Sequence, residues 1–144
     1  MKLGYLILTL FIFVGCQTPG YFISESNLPV AETRKAVTAV IGNPRIVSVN
    51  GRELISVYHD QKFKQLADET KVGTRFYTKV VILGARRPYE INIQVIKEVF
   101  ERETQKFVPV GLDESLTQRR AREIKKAHNY SLEKTQVFDG DAPF

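Results

Sequence analysis

The sequence has no tryptophan, one cysteine, one methionine and two histidines among its 144 residues. A lone cysteine cannot close an intramolecular disulfide, and no cysteine and histidine spacing suits zinc. The apolar run Leu3 to Val14 ends after about a dozen residues, short of the roughly 20 that cross a bilayer comfortably. Six prolines and nine glycines are too few for a collagenous or low-complexity chain. What is present, 43% hydrophobic and 26% charged residues with a formal charge of +5, is the profile of one small globular domain. A multidomain enzyme and a polytopic membrane protein are excluded on the same grounds.

The first sixteen residues are organised differently from the rest. Lys2 supplies a cation, Leu3 to Val14 an apolar run, and Gly15 a small residue directly before Cys16. This three-part build is that of an export signal. Its end, Phe13-Val14-Gly15-Cys16, resembles the lipobox of bacterial lipoproteins, in which the chain is cut before a cysteine whose sulfur carries a diacylglycerol. The pattern favours Leu where Phe13 stands, while Gly15 and Cys16, its strictest positions, match. The resemblance implies a signal peptide over 1–15, acylation (diacylglycerol and palmitate) at Cys16, and sorting by the residue that follows. Gln17 is not the Asp that retains such proteins at the inner membrane, so an outer-membrane lipoprotein facing the periplasm is expected. Each buried methylene contributes about 0.8 kcal/mol, so several acyl chains hold a protein essentially permanently. Cleavage would remove 15 residues and Lys2, leaving 129 residues at +4.

Residues 16–28 read as a lipidated tether, polar and turn-rich, whose twelve residues from Gln17 could reach about 40 Å when extended. A single domain over 29–136 follows, then a flexible tail over 137–144. Ser26 and Asn27 offer capping oxygens, Pro29 suits a first turn, and Val30, Val37, Val40 and Ile41 recur at helical spacing up to Gly42-Asn43-Pro44. Arg45 to Tyr58 reads as a hairpin with a type I′ turn at Asn50-Gly51. His59 to Gly73 reads as a loop or a short helical turn. Phe76 to Leu83 reads as a strand, and Tyr89, Ile91, Ile93 and Val95 alternate with Glu90, Asn92 and Gln94 in the cleanest two-residue period of the chain. Phe107 to Val110 is a short strand, and Asp113 caps a helix through about His128. The order predicts an α+β domain: a mostly antiparallel sheet of four to five strands with an N-terminal and a C-terminal helix packed on one face. This element order resembles the small two-layer domains of several outer-membrane assembly and secretion-accessory lipoproteins.

Few residues suggest chemistry. His59 and His128 read as ordinary exposed histidines, with no serine elbow or phosphate-cradling glycine loop. Glu101 and Glu103 would lie about 6.5 to 7 Å apart on a strand, near the separation in inverting glycosidases, yet Arg102 and Lys106 mark a solvated strand end. Asp139 and Asp141 lack the companion oxygens of a calcium loop. No catalytic residue, cofactor or metal is therefore expected. Two basic features remain. Arg119, Arg120, Arg122, Lys125 and Lys126 crowd the last helix and could meet anionic lipid or glycan, while its apolar stripe of Leu116, Ala121, Ile124 and Ala127 is thin. Arg86 and Arg87, with Tyr89, sit at the tip of the longest hairpin, and both residue types are enriched at binding hot spots.

The expectation is a non-catalytic accessory or scaffold of an envelope assembly or secretion complex. It would be anchored in the membrane by Cys16 and bind a protein partner through a sheet edge or the Arg86 to Tyr89 tip. The alternative is a lipid, lipopolysaccharide or peptidoglycan binding module using the basic helix. Nucleic acid is not an expected partner after export. Inhibition of basic lysozymes is disfavoured by like charge, and the strands are too few for a membrane barrel.

Overall fold

The structure, a computed structural model, describes residues 18–140, with side-chain surroundings through Gln136. The expected signal peptide, Cys16 and Gln17 lie outside the described residues, as do 141–144. The chain is α+β, with a six-stranded antiparallel sheet and two helices. In order these are β1 (Tyr21–Ser26), α1 (Val30–Ile41), β2 (Ile46–Val47), β3 (Glu53–Ile55), β4 (Thr74–Leu83), β5 (Tyr89–Glu101), β6 (Lys106–Leu112) and α2 (Glu114–Gly140).

α1 begins after Pro29, whose fixed φ suits a helix start and whose missing N–H costs nothing there. No side chain caps it. Of the two expected capping residues, Ser26 turns inward to His128 and Asn27 lends its backbone carbonyl to Arg87. The helix ends at Gly42, where φ is +75°. Thr33, Ala36, Val37 and Ile41 form its buried face, spaced at three, four and eight residues. α2 starts as expected: Asp113 Oδ1 accepts the Leu116 N–H at 2.9 Å. It continues to Gly140, past His128 and into the segment expected to be tail.

β5 is the organising strand. β4 pairs along ten of its residues, while β1 and β6 share its other edge, β1 opposite Tyr89 to Ile93 and β6 opposite Ile96 to Glu101. β1 arises within residues expected to be tether. Its sequence, Tyr-Phe-Ile-Ser-Glu-Ser, carries only a short alternation, and the open edge of β5 supplies the hydrogen-bond partners that make it a strand. That strand raises the count above the four to five expected. The β2–β3 hairpin forms, but not around a two-residue turn. Gly51 donates to Ser48 O at 2.8 Å, and Asn50 keeps φ negative, so the loop spans Val49 to Arg52. A type I′ turn would need φ > 0 at both residues.

The expected alternation in β5 holds on one side, which we term the inner face. Ile91, Ile93 and Val95 have no exposed surface, and register sets them opposite Ile82, Val80 and Thr78 of β4. Ile91, Ile93, Val80, Leu54 and Ile23 share one hydrophobic cluster with Val37 and Ile41 of α1 and Ala121 and Ile124 of α2. Burying each large aliphatic side chain contributes about 1.5–3 kcal/mol. The outer face departs from a wholly wet surface. Asn92 is only 2% exposed, because the chain at Pro19 and Gly20 lies against it, and its Nδ2 donates to Pro19 O. Glu101 ends β5 and Glu103 lies in the turn to β6, so the two do not share a strand face.

Candidate functional site

The feature best built for recognition is one end of the sheet, assembled from three segments. Ser48, Asn50 and Gly51 stiffen the β2–β3 loop. Asn50 Oδ1 accepts from Ser48 Oγ at 2.7 Å and Arg52 N at 3.0 Å, and Ser48 Oγ accepts the Glu53 N–H at 2.9 Å. Arg52 then reaches across to the β4–β5 turn. Its guanidinium donates to Gly84 O and lies 5.2 Å from the centroid of the Tyr89 ring. Arg87 Nη1 donates to Asn27 O at 3.3 Å, joining the same turn to the start of α1. Gly51 sits so near α1 that a Cβ there would come within 2.8 Å of Arg34 Nη1.

Four arginines, Arg34, Arg52, Arg86 and Arg87, therefore meet at one pole, with Arg86 and Arg87 exposed and Tyr89 half-buried. Glu90, opposite Leu83 in register, and Glu25, next to Ser26, are exposed carboxylates at this end of the sheet, while Glu53 is paired with Lys79 at 3.1 Å. At the apex Val49 is fully exposed and Leu83 is 37% exposed. Arginine and tyrosine, both enriched at binding hot spots, stand here beside exposed apolar surface. The sequence indicated Arg86, Arg87 and Tyr89. It did not indicate Arg34, Arg52 or Val49, which arrive from segments distant in the chain.

The basic helix divides. Arg122, Lys125 and Lys126 are exposed and border a shallow depression with Asn129, Tyr130 and Glu133. Arg119 is exposed and donates to Gln61 O at 3.3 Å. Arg120 is not part of that surface. It is 5% exposed, its guanidinium lies 3.6 Å from the Phe63 ring centroid, and Nη1 donates to Val40 O at 3.2 Å and Glu123 Oε2 at 2.9 Å. Burial lowers its pKa from the usual arginine value, and Glu123 opposes that shift by charge and hydrogen bond. Arg120 thus ties α2 to the carboxyl end of α1, where unpaired carbonyls favour a cation.

Both histidines are buried, contrary to expectation. His59 Nδ1–H donates to Asp60 O at 2.9 Å, which leaves Nε2 to accept from Thr78 Oγ1 at 3.2 Å. The ring stacks on Phe76 and meets the edge of Phe63. Burial, more than any charge, lowers its pKa, with the Arg120 charge adding to the effect and the Asp60 contacts opposing it. His59, Phe63 and Arg120 line a cleft of about 510 Å³ beside the end of α1. Nε2 and the backbone of His59 hold the chain to Thr78 and Phe76 of β4, while Nδ1 bonds within the loop.

Ser26 and His128 form the other buried pair, with Oγ and Nε2 2.8 Å apart across 102 residues of chain. A serine hydrogen-bonded to histidine is the beginning of a nucleophile and base. Here Ser26 has no exposed surface and His128 only 5%, so the pair closes the junction between β1 and α2. Among the described residues no three His, Cys, Asp or Glu side chains gather as a metal site. No described helix is long and apolar enough to cross a membrane.

No protein-family model matches this chain, and neither the curated proteins nor the solved structures contain a significantly similar one.

Proposed function

We propose that this protein is a non-catalytic, lipid-anchored component of the bacterial envelope, held at the outer membrane by Cys16 and facing the periplasm. It acts as an accessory or scaffold that binds a protein partner through its arginine pole. In this reading both helices lie over the inner face of the sheet, because Val37, Ile41, Ala121 and Ile124 share a cluster with Val80, Ile91 and Ile93. The outer face is then left without a helix.

The observation that carries the reading is the direction of β1. The chain coming from Cys16 enters opposite Ile93 at Tyr21 and runs to Ser26, opposite Tyr89, next to the pole. The start of β1 and the arginine cluster therefore lie at different levels of the sheet, about 17 Å apart for five residues of strand. The partner is an acidic or aromatic protein surface, to which guanidinium groups bind bidentately or by stacking.

The deciding experiment is in-cell crosslinking of the tagged protein in its native envelope, with parent and Arg86→Glu/Arg87→Glu forms compared. Mass spectrometry follows both the copurifying proteins and the N-terminal peptide. One defined envelope complex captured by the parent and lost from the variant, with acylated Cys16, supports the proposal. Capture unchanged by the charge reversal would reject the pole as the contact. If Arg122→Glu/Lys125→Glu/Lys126→Glu alone abolished function, and lipid or glycan were the only material recovered, the ligand-binding alternative would replace it.

A further inference from the structure

We infer that the outer face of the sheet rests on the headgroup surface of the bilayer that holds Cys16. This rests on the lipid-anchored reading above. The inference begins where the described chain begins. Pro19 O accepts hydrogen bonds from Asn92 Nδ2 at 3.3 Å and Gln94 Nε2 at 2.7 Å, two side chains that alternate onto the outer face. Gly20 follows at φ +122° and so close to β5 that a Cβ would lie 2.8 Å from Asn92 Nδ2 and Ile93 O. The chain is therefore fastened to the sheet from Pro19 onward, and the long tether expected from the sequence shrinks to Gln17 and Thr18. Three residues of extended chain, from Cys16 to Pro19, reach at most about 10 Å. The acyl chains must then enter the bilayer beside the middle of β5, on the outer side.

The surface at that place has interfacial chemistry. Register puts Phe22, Tyr77 and Ile96 on the same face, each half-buried rather than covered, with Ile46 at the far edge 46% exposed. The Arg75 guanidinium lies between the Tyr58 and Phe107 rings, 3.7 and 3.8 Å from their centroids, and its charge is matched by Glu98 at 2.7 Å. Arg45, exposed, lies over Tyr58 at 4.3 Å and has no carboxylate partner among the described residues. Aromatic rings with an arginine are the side chains that settle at the boundary of water and acyl chains. The pairing of Arg75 with Glu98 and of Lys79 with Glu53 lowers the desolvation cost that unpaired charges would bring to such a contact. The pole stays free at the side, open to a partner that approaches along the membrane.

The test uses the acylated protein purified from membranes and reconstituted, at low density, into phosphatidylethanolamine and phosphatidylglycerol vesicles with a nitroxide-bearing lipid. Acylation occupies the one native cysteine, so Ile46→Cys and Lys79→Cys report the outer face and Lys126→Cys reports α2, each carrying a fluorophore. Quenching about threefold stronger at both outer-face positions than at Lys126→Cys is expected for a label within roughly 10 Å of the acyl boundary. Equal quenching at all three sites, in protein that floats with the vesicles, overturns the docking while leaving the anchor intact. Energy transfer between two outer-face labels that persists on dilution in the bilayer assigns the face to a second copy and also overturns it. An N-terminal peptide of native protein lacking acyl groups removes the anchor reading, and the docking with it.

Discussion

Arg120 separates a reading of the linear chain from a reading of the fold. In sequence it is one cation among five on a basic helix. In the structure it is a strut with a buried head. Arg120→Ala would remove a charge-assisted hydrogen bond to Val40 O, worth about 1.5 kcal/mol, and the guanidinium contact with the Phe63 ring, worth about 1 kcal/mol. Some stem packing goes as well. The expected loss is about 3 kcal/mol, which for a domain of this size lowers the melting temperature by about 10 °C. Arg122→Ala, two residues on and exposed, should stay within about 0.5 kcal/mol of the parent. Arg120→Met keeps the stem and should recover part of the loss, since Glu123 is 45% exposed and water can solvate it. Urea and thermal unfolding of the mature chain, followed by circular dichroism, measure all three. If Arg120→Ala melts within about 2 °C of the parent and no lower than Arg122→Ala, a shift expected only of surface sites, the strut does not exist and Arg120 returns to the candidate ligand surface.

Other predictions address the core, the entry of the chain, the buried pair and pH. Ile93→Ala should cost about 3–4 kcal/mol because the side chain is wholly enclosed, whereas Val49→Ala at the apex should leave the urea midpoint unchanged; equal effects would refute the assignment of inner face and pole. Gly20→Ala should destabilise by about 2 kcal/mol and speed amide exchange in β1, since Gly20 combines φ +122° with no room for a Cβ; protection equal to the parent's would show that Pro19 and Gly20 are not fastened to β5. Ser26→Ala leaves His128 Nε2 without its partner and should cost about 1–3 kcal/mol, and an unaltered midpoint would dismiss the clamp. Burial holds His59 below its ordinary value near 6.5, so below that pH the unfolded chain takes up a proton that the folded one refuses. Its stabilising contribution is complete above pH 6.5 and declines by at most about 1.4 kcal/mol per pH unit as pH falls toward the folded value. Unfolding free energies across this window should fall less steeply for His59→Gln than for the parent, and parallel slopes would contradict a neutral buried His59.

Local signals account for much of the fold. Pro29 and Gly42 bracket α1, Asp113 opens α2, and the alternation from Tyr89 to Val95 places the inner face of β5. Each depends on φ preferences or side-chain periods that neighbouring residues set together. The strand count and the tether were not legible in the same way. Tyr21 to Ser26 becomes a strand because β6 leaves half an edge of β5 unpaired, a vacancy that no property of those six residues announces. The length of α2 was hidden too, since beyond His128 its residues carry little apolar period.

The candidate site divides along the same line. Arg86 and Arg87 were recognisable because a tight turn between two strands must be exposed. Arg34, Arg52 and Val49 joined them only when the β2–β3 loop folded against the β4–β5 turn and α1. Arg120, His59 and His128 could not be told from surface residues, because what buries them comes from partners 57, 19 and 102 positions away: Phe63, Thr78 and Ser26. The sequence by itself determined where the main elements form and how one face of β5 alternates, since those follow from backbone and neighbour preferences. Only the tertiary structure decided which charges lie buried, which segments share a pole and how closely the chain is fastened at Pro19, because those depend on contacts between residues distant in the chain.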